Sequence, residues 1–125
     1  MEKLLLEETF KTPFVSFSPN NGELILNGRV FPENPDEFFH PLLNWLRTYA
    51  SQPAAETRLS IFLSYFNSTS SEYIFRLCKE IENIAAGGNS ASVVWEYEAE
   101  DEDMKQVGED YAEILKLNFE LRPKN

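Results

Sequence analysis

Thr57-Arg58-Leu59-Ser60-Ile61-Phe62-Leu63-Ser64-Tyr65-Phe66, running straight into Asn67-Ser68-Thr69-Ser70-Ser71, is the stretch that decides how this chain folds. Within residues 57–66, Leu59, Ile61, Leu63 and Tyr65 recur at every second position, the period of a strand. Phe62 and Phe66 make the opposite face apolar too, as in a strand central to a sheet covered by helices. Asn and the hydroxyl residues that follow favour a helix start, because their side-chain oxygens can accept from free backbone N–H groups. Ile74, Leu77, Cys78, Ile81 and Ala85 then recur at steps of three and four, one face of a helix. Gly87-Gly88-Asn89 closes that helix as an αL-type C-cap.

The pattern extends in both directions. Downstream, Val93, Val94, Trp95 and Tyr97 mark a strand over Ser92 to Tyr97. The acidic stretch Glu98 to Asp103 leads into a helix with Met104, Val107, Gly108, Tyr111, Ala112 and Leu115 on one face, its acids placed to suit the helix dipole. Leu117, Phe119 and Leu121 alternate as a last strand. Upstream, Asn34 caps a helix, Pro35 takes its first position and Glu37 the capping-box position. Its apolar face is Phe38, Phe39, Leu42, Leu43, Leu46 and Tyr49, with Pro41 expected to kink it. Phe14 to Ser18, the turn Pro19-Asn20-Asn21-Gly22 and Leu24 to Leu26 form a hairpin, ended by Asn27-Gly28. Residues 1–12 read as a tail or an edge strand.

The expected order is therefore β-β-α-β-α-β-α-β. This is an α/β fold with a single-layer mixed sheet: an N-terminal hairpin, then βαβ units whose crossovers are right-handed, with helices packed on the sheet. Residues 1–125 read as one domain, with 1–11 and 123–125 as candidate flexible ends.

The composition narrows the function. Eleven basic against 21 acidic residues leave a formal net charge of −10. A field of that sign repels nucleic acid and anionic lipid surfaces, so neither is expected as a partner. Cys78 is the only cysteine, which excludes an intramolecular disulfide. No basic-then-apolar leader pattern is present and no apolar run is long enough to span a bilayer, so the expected compartment is the cytoplasm.

The catalytic and metal inventory is poor. His40 is the only histidine, and one His with one Cys on different helices makes no zinc site. Glu100-Asp101-Glu102-Asp103 resembles a calcium loop only superficially. Counting from Asp101, Gln106 and Ala112 stand where an EF-hand needs Gly and Glu. Gly87-Gly88 follows a helix instead of opening one, so it is no phosphate loop. No Gly-x-Ser-x-Gly elbow occurs. We therefore expect no catalytic residue, metal or cofactor.

The exception is Asn67-Ser68-Thr69-Ser70-Ser71. A helix cap accounts for one hydroxyl or two, not four. The turn also lies at the carboxyl end of a central strand, where open α/β sheets place functional loops. A phosphoryl group there would add about −1.5 to −2 charges, stabilised by the helix N-terminus. Residue chemistry leaves both readings open: a cap alone, or a phosphorylation switch. Asn67-Ser68-Thr69 also matches the glycosylation sequon, which carries little weight without a secretion signal.

From about Thr12 to Leu121 the chain resembles the SiaC family of bacterial regulatory phosphoproteins. The matching segments are Thr12-Pro13, Phe31-Pro32-Glu33-Asn34, Pro41-Leu42-Leu43-Asn44-Trp45-Leu46 and Tyr65-Phe66-Asn67-Ser68-Thr69-Ser70-Ser71. Val94-Trp95-Glu96-Tyr97, Glu102-Asp103-Met104, Gly108-Glu109-Asp110 and Leu117-Asn118-Phe119 follow in order. The resemblance implies a fold similar to anti-sigma-factor antagonists (STAS-like). It implies a chain phosphorylated by a histidine-kinase-like Ser/Thr kinase and dephosphorylated by a PP2C-type phosphatase. Unphosphorylated, such a protein binds and activates a diguanylate cyclase, tuning c-di-GMP and biofilm formation. The family's acceptor is the Thr directly after the Asn, which places it here at Ser68, with Thr69 the alternate. Asn67, Thr69, Ser70, Ser71 and Glu72 are the expected turn and partner-binding residues. Glu72 stands where the family often has Lys. The rival expectations are a constitutive adaptor whose turn is only a cap, and a small hydrolase using acidic residues.

Overall fold

The computed structural model describes residues 1–125. Its elements are β1 (Leu4–Leu6), β2 (Phe14–Phe17), β3 (Glu23–Val30), α1 (Pro35–Ala50), β4 (Glu56–Phe66), α2 (Ser68–Ala86), β5 (Ser90–Glu98), α3 (Glu102–Ile114) and β6 (Asn118–Lys124). The strands form one six-stranded sheet in sequential order, β1-β2-β3-β4-β5-β6. The first two pairings are antiparallel and the remaining three parallel, so the sheet is mixed. Leu4–Leu6 adds a strand to the expected order and supplies one sheet edge, while the final strand runs on to Lys124.

The sequential order decides where the helices go. Each right-handed crossover steps the same way across the sheet, so α1, α2 and α3 all land on one face. Burial along β4 shows it: Leu59, Ile61 and Leu63 are closed off, whereas Arg58 and Ser64 are exposed and Ser60 and Phe62 half-buried. This corrects the expectation of helix cover drawn from a strand apolar on both faces. β4 is central, but its second apolar face is sheltered by neighbours in the sheet. The Lys124 ammonium lies 4.3 Å from the Phe62 ring centroid.

Between sheet and helices lies a single core of 23 buried residues, among them Phe17, Leu26, Phe39, Leu46, Ile61, Ile74, Ile81 and Trp95. β3 does not stop at Asn27-Gly28 as its turn-like sequence suggests. It continues to Val30 through a register shift between Gly28 and Arg29, where Gly28 adopts φ +134° and Glu8 leans over it. α1 likewise runs on through Pro41.

Two core groups make testable points. The Tyr49 hydroxyl shares a 2.7 Å hydrogen bond with Thr57 Oγ1 and accepts from the Ala54 N–H at 3.0 Å. Tyr49→Phe leaves the buried Thr57 hydroxyl and the half-buried Ala54 N–H without this partner. It should cost about 1–3 kcal/mol, read as a lower urea midpoint at unchanged slope. Cys78 is fully buried on α2, and burial pushes its thiol up to about 12. A disulfide reagent should therefore modify it only at the rate of global unfolding. Fast labelling of the native protein would contradict that.

Candidate functional site

The carboxyl ends of β3, β4 and β5 deliver three helix starts to one edge of the sheet. Each is capped by a side-chain carbonyl or carboxylate: Asn34 accepts from the Glu37 N–H, Asn67 from the Ser70 N–H and Asp101 from the Met104 N–H. These starts differ in charge. α1 carries Asp36 and Glu37 in its first turn and α3 carries Glu102 and Asp103, but the first turn of α2 has no acid. Its positive dipole end is thus uncompensated.

The hydroxyls of that turn are not equivalent. Ser68 and Thr69 occupy the first two helical positions, and both are exposed. Their N–H groups lie in the part of the helix that has no intrahelical acceptor. Asn67 holds the turn in two ways: its Oδ1 accepts from the Ser70 N–H at 3.0 Å, and its carbonyl accepts from the N–H groups of Ser70 and Ser71. The Asn67 N–H donates to the Val30 carbonyl at 3.3 Å, tying the turn to the end of β3. Ser71 Oγ donates to the Ser68 carbonyl at 2.7 Å. Ser70 is fully buried and its hydroxyl has no partner. Glu72 points outward and pairs with Arg76 at 2.7 Å. Ser68 and Thr69 are therefore the two exposed, uncommitted hydroxyls, while Ser70 and Ser71 shape the turn.

Several residues around the turn were not assigned to the site by sequence reasoning. Phe31, next after Val30, packs edge-on against Tyr65 at 5.6 Å and against Phe10 at 5.4 Å, and the Arg29 guanidinium sits 4.6 Å from the Phe10 ring centroid. Tyr65 is 51% and Phe10 65% exposed. Strand alternation puts Tyr65 with the buried series Leu59-Ile61-Leu63, but the register shift pairs Gly28 with Leu63 and Arg29 with Tyr65, leaving Ser64 as an extra residue, so that Phe66 packs against the core and Tyr65 does not. Its place three residues before Ser68 was the available signal. On the other side a groove of about 330 Å³ is lined by Tyr65, Phe66, Met104 and Val107, with Asp101 and Asp103 among its polar residues. From α3, the Tyr111 hydroxyl donates to the Ser71 carbonyl at 2.9 Å, and burial raises that phenol's pKa.

No three His, Cys, Asp or Glu side chains are grouped to hold a metal ion. His40 is exposed on α1. Asp101 uses Oδ1 for its cap, at 3.0 Å from the Met104 N–H. No helix is long and apolar enough to cross a membrane.

Comparison with known proteins converges on one family. The family model described as SiaC family regulatory phosphoprotein matches residues 6–124. A curated relative, an uncharacterized protein of Pseudomonas aeruginosa strain UCBPP-PA14, is 24% identical over 98% of this chain and 97% of its own length. The crystal structure of apo-SiaC from P. aeruginosa superposes with a TM-score of 0.88 at 23% identity, covering 98% of this chain and 99% of that one. A chain in the crystal structure of the diguanylate cyclase SiaD in complex with its activator SiaC, from P. aeruginosa, gives 0.90 at 23% identity, covering 97% and 99%. At this identity the structural likenesses establish the shared fold.

Proposed function

The chain belongs to the SiaC family of regulatory phosphoproteins, and from that premise we propose that it is a non-enzymatic switch whose phosphoacceptor is Ser68, with Thr69 the alternate. The observation that carries the reading is the pair of exposed, uncommitted hydroxyls on the one helix start that lacks an acid. A Ser/Thr kinase of the histidine-kinase-like type transfers the γ-phosphoryl of ATP to Ser68 Oγ. The bond to ADP breaks, and the hydroxyl proton leaves to a base on the kinase. A PP2C-type phosphatase reverses the step with water, releasing inorganic phosphate. The free N–H groups and dipole of α2 stabilise the phosphate in place, so the fold persists in both states.

Unphosphorylated, the chain binds a diguanylate cyclase, as the P. aeruginosa activator of the same fold does with SiaD. The cytoplasm, which holds ATP and GTP, is the compartment this reading requires. The docking surface is the turn, with Ser68 and Thr69, together with the exposed Tyr65 and Phe10 and the half-buried Phe31 between them. A hydrolase reading has less support: of the two carboxylates on the open groove beside the turn, Asp101 is committed as a helix cap and Asp103 stands in the first turn of the same helix.

Incubation with the cognate kinase and Mg-ATP, followed by peptide mapping, tests the acceptor. Phosphate should appear on Ser68 and be absent from Ser68→Ala. Phosphate found only outside residues 68–71 would defeat the assignment.

A further inference from the structure

The two edges of the sheet are protected very differently. β6 ends in Arg122-Pro123-Lys124, and proline and charge are the usual means of blocking an edge from further pairing. β1 pairs only with β2, and its outer side presents Leu4-Leu5-Leu6 with no such guard. The strand is held firmly. Trp45 Nε1 donates to the Glu2 carbonyl at 2.9 Å at its start, and a Thr9–Thr12 turn closes the loop beyond it. Leu5 is 51% exposed, and Leu4 and Leu6 border an unfilled groove of about 550 Å³ beside Phe38 and Pro41 of α1.

We propose that this edge is a homodimerisation site, at which β1 pairs antiparallel with β1 of a second copy across a two-fold axis through Leu5. The pairing is self-complementary. It sets Leu4 against Leu6 of the second copy, and Leu6 against its Leu4, all on the helix side of the sheet where both grooves lie. It also sets Lys3 against Glu7 of the second copy, and Glu7 against its Lys3, giving two opposite-charge cross-strand pairs from one register. Glu2 and Glu8 would be the next pair outward and repel. The Glu8 carboxylate, however, is turned back over Gly28, and the Glu2 backbone is tied to Trp45. The axis stands perpendicular to the sheet, so the two sheets join edge to edge with all helices on one side. Charge selects a second copy over an arbitrary extended segment, because Lys3 is the only base in residues 1–10 and it falls opposite an acid.

Sedimentation velocity on the full chain tests this across the micromolar range. The wild type should show a reversible dimer, and Leu5→Lys should be monomeric. Lys3→Glu and Glu7→Lys should each weaken association by about tenfold, since each reverses two symmetric pairs. The double variant K3E/E7K should recover the wild-type constant. All three side chains are exposed, so an unchanged circular dichroism spectrum would verify folding. A wild-type chain that stays monomeric overturns the proposal, as does a dimer indifferent to Leu5→Lys. A monomer whose β1 amides gain exchange protection only when another protein is added would give the edge to that protein, and would equally overturn self-association.

Discussion

Phosphate placed on Ser68 alone is expected to lower affinity for the proposed cyclase partner by about a hundredfold or more, with no loss of folded structure. The cost arises on docking. Ser68 lies on a small, exposed turn beside Tyr65 and Phe31, a surface that a partner can desolvate cheaply. A phosphoryl group brings nearly two charges to that spot, and a partner that fits the bare turn must strip their water. The surroundings offer little relief, because Asp101 and Asp103 line the adjoining groove and the whole chain carries a net −10. Stability should move the other way or stay level, since a negative group at the uncompensated start of α2 is favoured by about 0.3–1 kcal/mol. Ser68→Asp supplies one charge and no tetrahedral oxygens, so its binding defect should be smaller than that of the phosphorylated chain. Ser68→Ala should bind the cyclase like the unmodified protein and ignore the kinase. Isothermal titration against the cyclase, paired with thermal melts, separates this from a constitutive adaptor. Equal affinity of the phosphorylated and unmodified chains would favour the adaptor.

Much of this was legible in the sequence because the signals are local. Alternation in residues 57–66, the cap residues Asn34 and Asn67, and the three-and-four spacing of Ile74, Leu77, Cys78 and Ile81 all report on backbone geometry within a few residues. What escaped depends on distant partners. Leu4–Leu6 is too short to declare itself, and becomes a strand only because β2 offers three pairing positions. Helix cover on one face follows from the sequential strand order, which no single strand encodes. At the site, four similar hydroxyls look alike as text. Their difference comes from the rotation of α2, which buries Ser70, commits Ser71 to the Ser68 carbonyl and leaves Ser68 and Thr69 outward. Phe10 and Phe31 join Tyr65 only once β3 and β4 are paired.

Gly108→Ala should destabilise the protein even though alanine is the better helix former. Replacing glycine inside a helix ordinarily gains about 1 kcal/mol. Here a Cβ would stand 2.5 Å from Trp95 Cδ1, 2.8 Å from Trp95 Nε1 and 2.8 Å from Leu121 Cδ2. The sign depends on whether the indole can give way. Trp95 is 1% exposed, its Nε1 donates to the Met104 carbonyl at 3.0 Å, and Tyr111 and Phe119 flank it. A ring held by a buried hydrogen bond and two aromatic neighbours cannot move without breaking one of them, so α3 must lift instead. Overpacking of this kind costs about 1–3 kcal/mol, more than the propensity gain. Gly108→Val should be worse, adding two methyls and a β-branched residue. A loss of 1 kcal/mol lowers the melting temperature of a domain this size by about 4 °C. The displacement should also reach the turn at the start of α2, because the Tyr111 hydroxyl that lifts with α3 is the one bonded to the Ser71 carbonyl. Gly108→Ala should therefore speed amide exchange in the first turn of α2 as well as lower the melting temperature. A rise in melting temperature would mean that the indole yields, and that α3 is not locked to the sheet through Trp95.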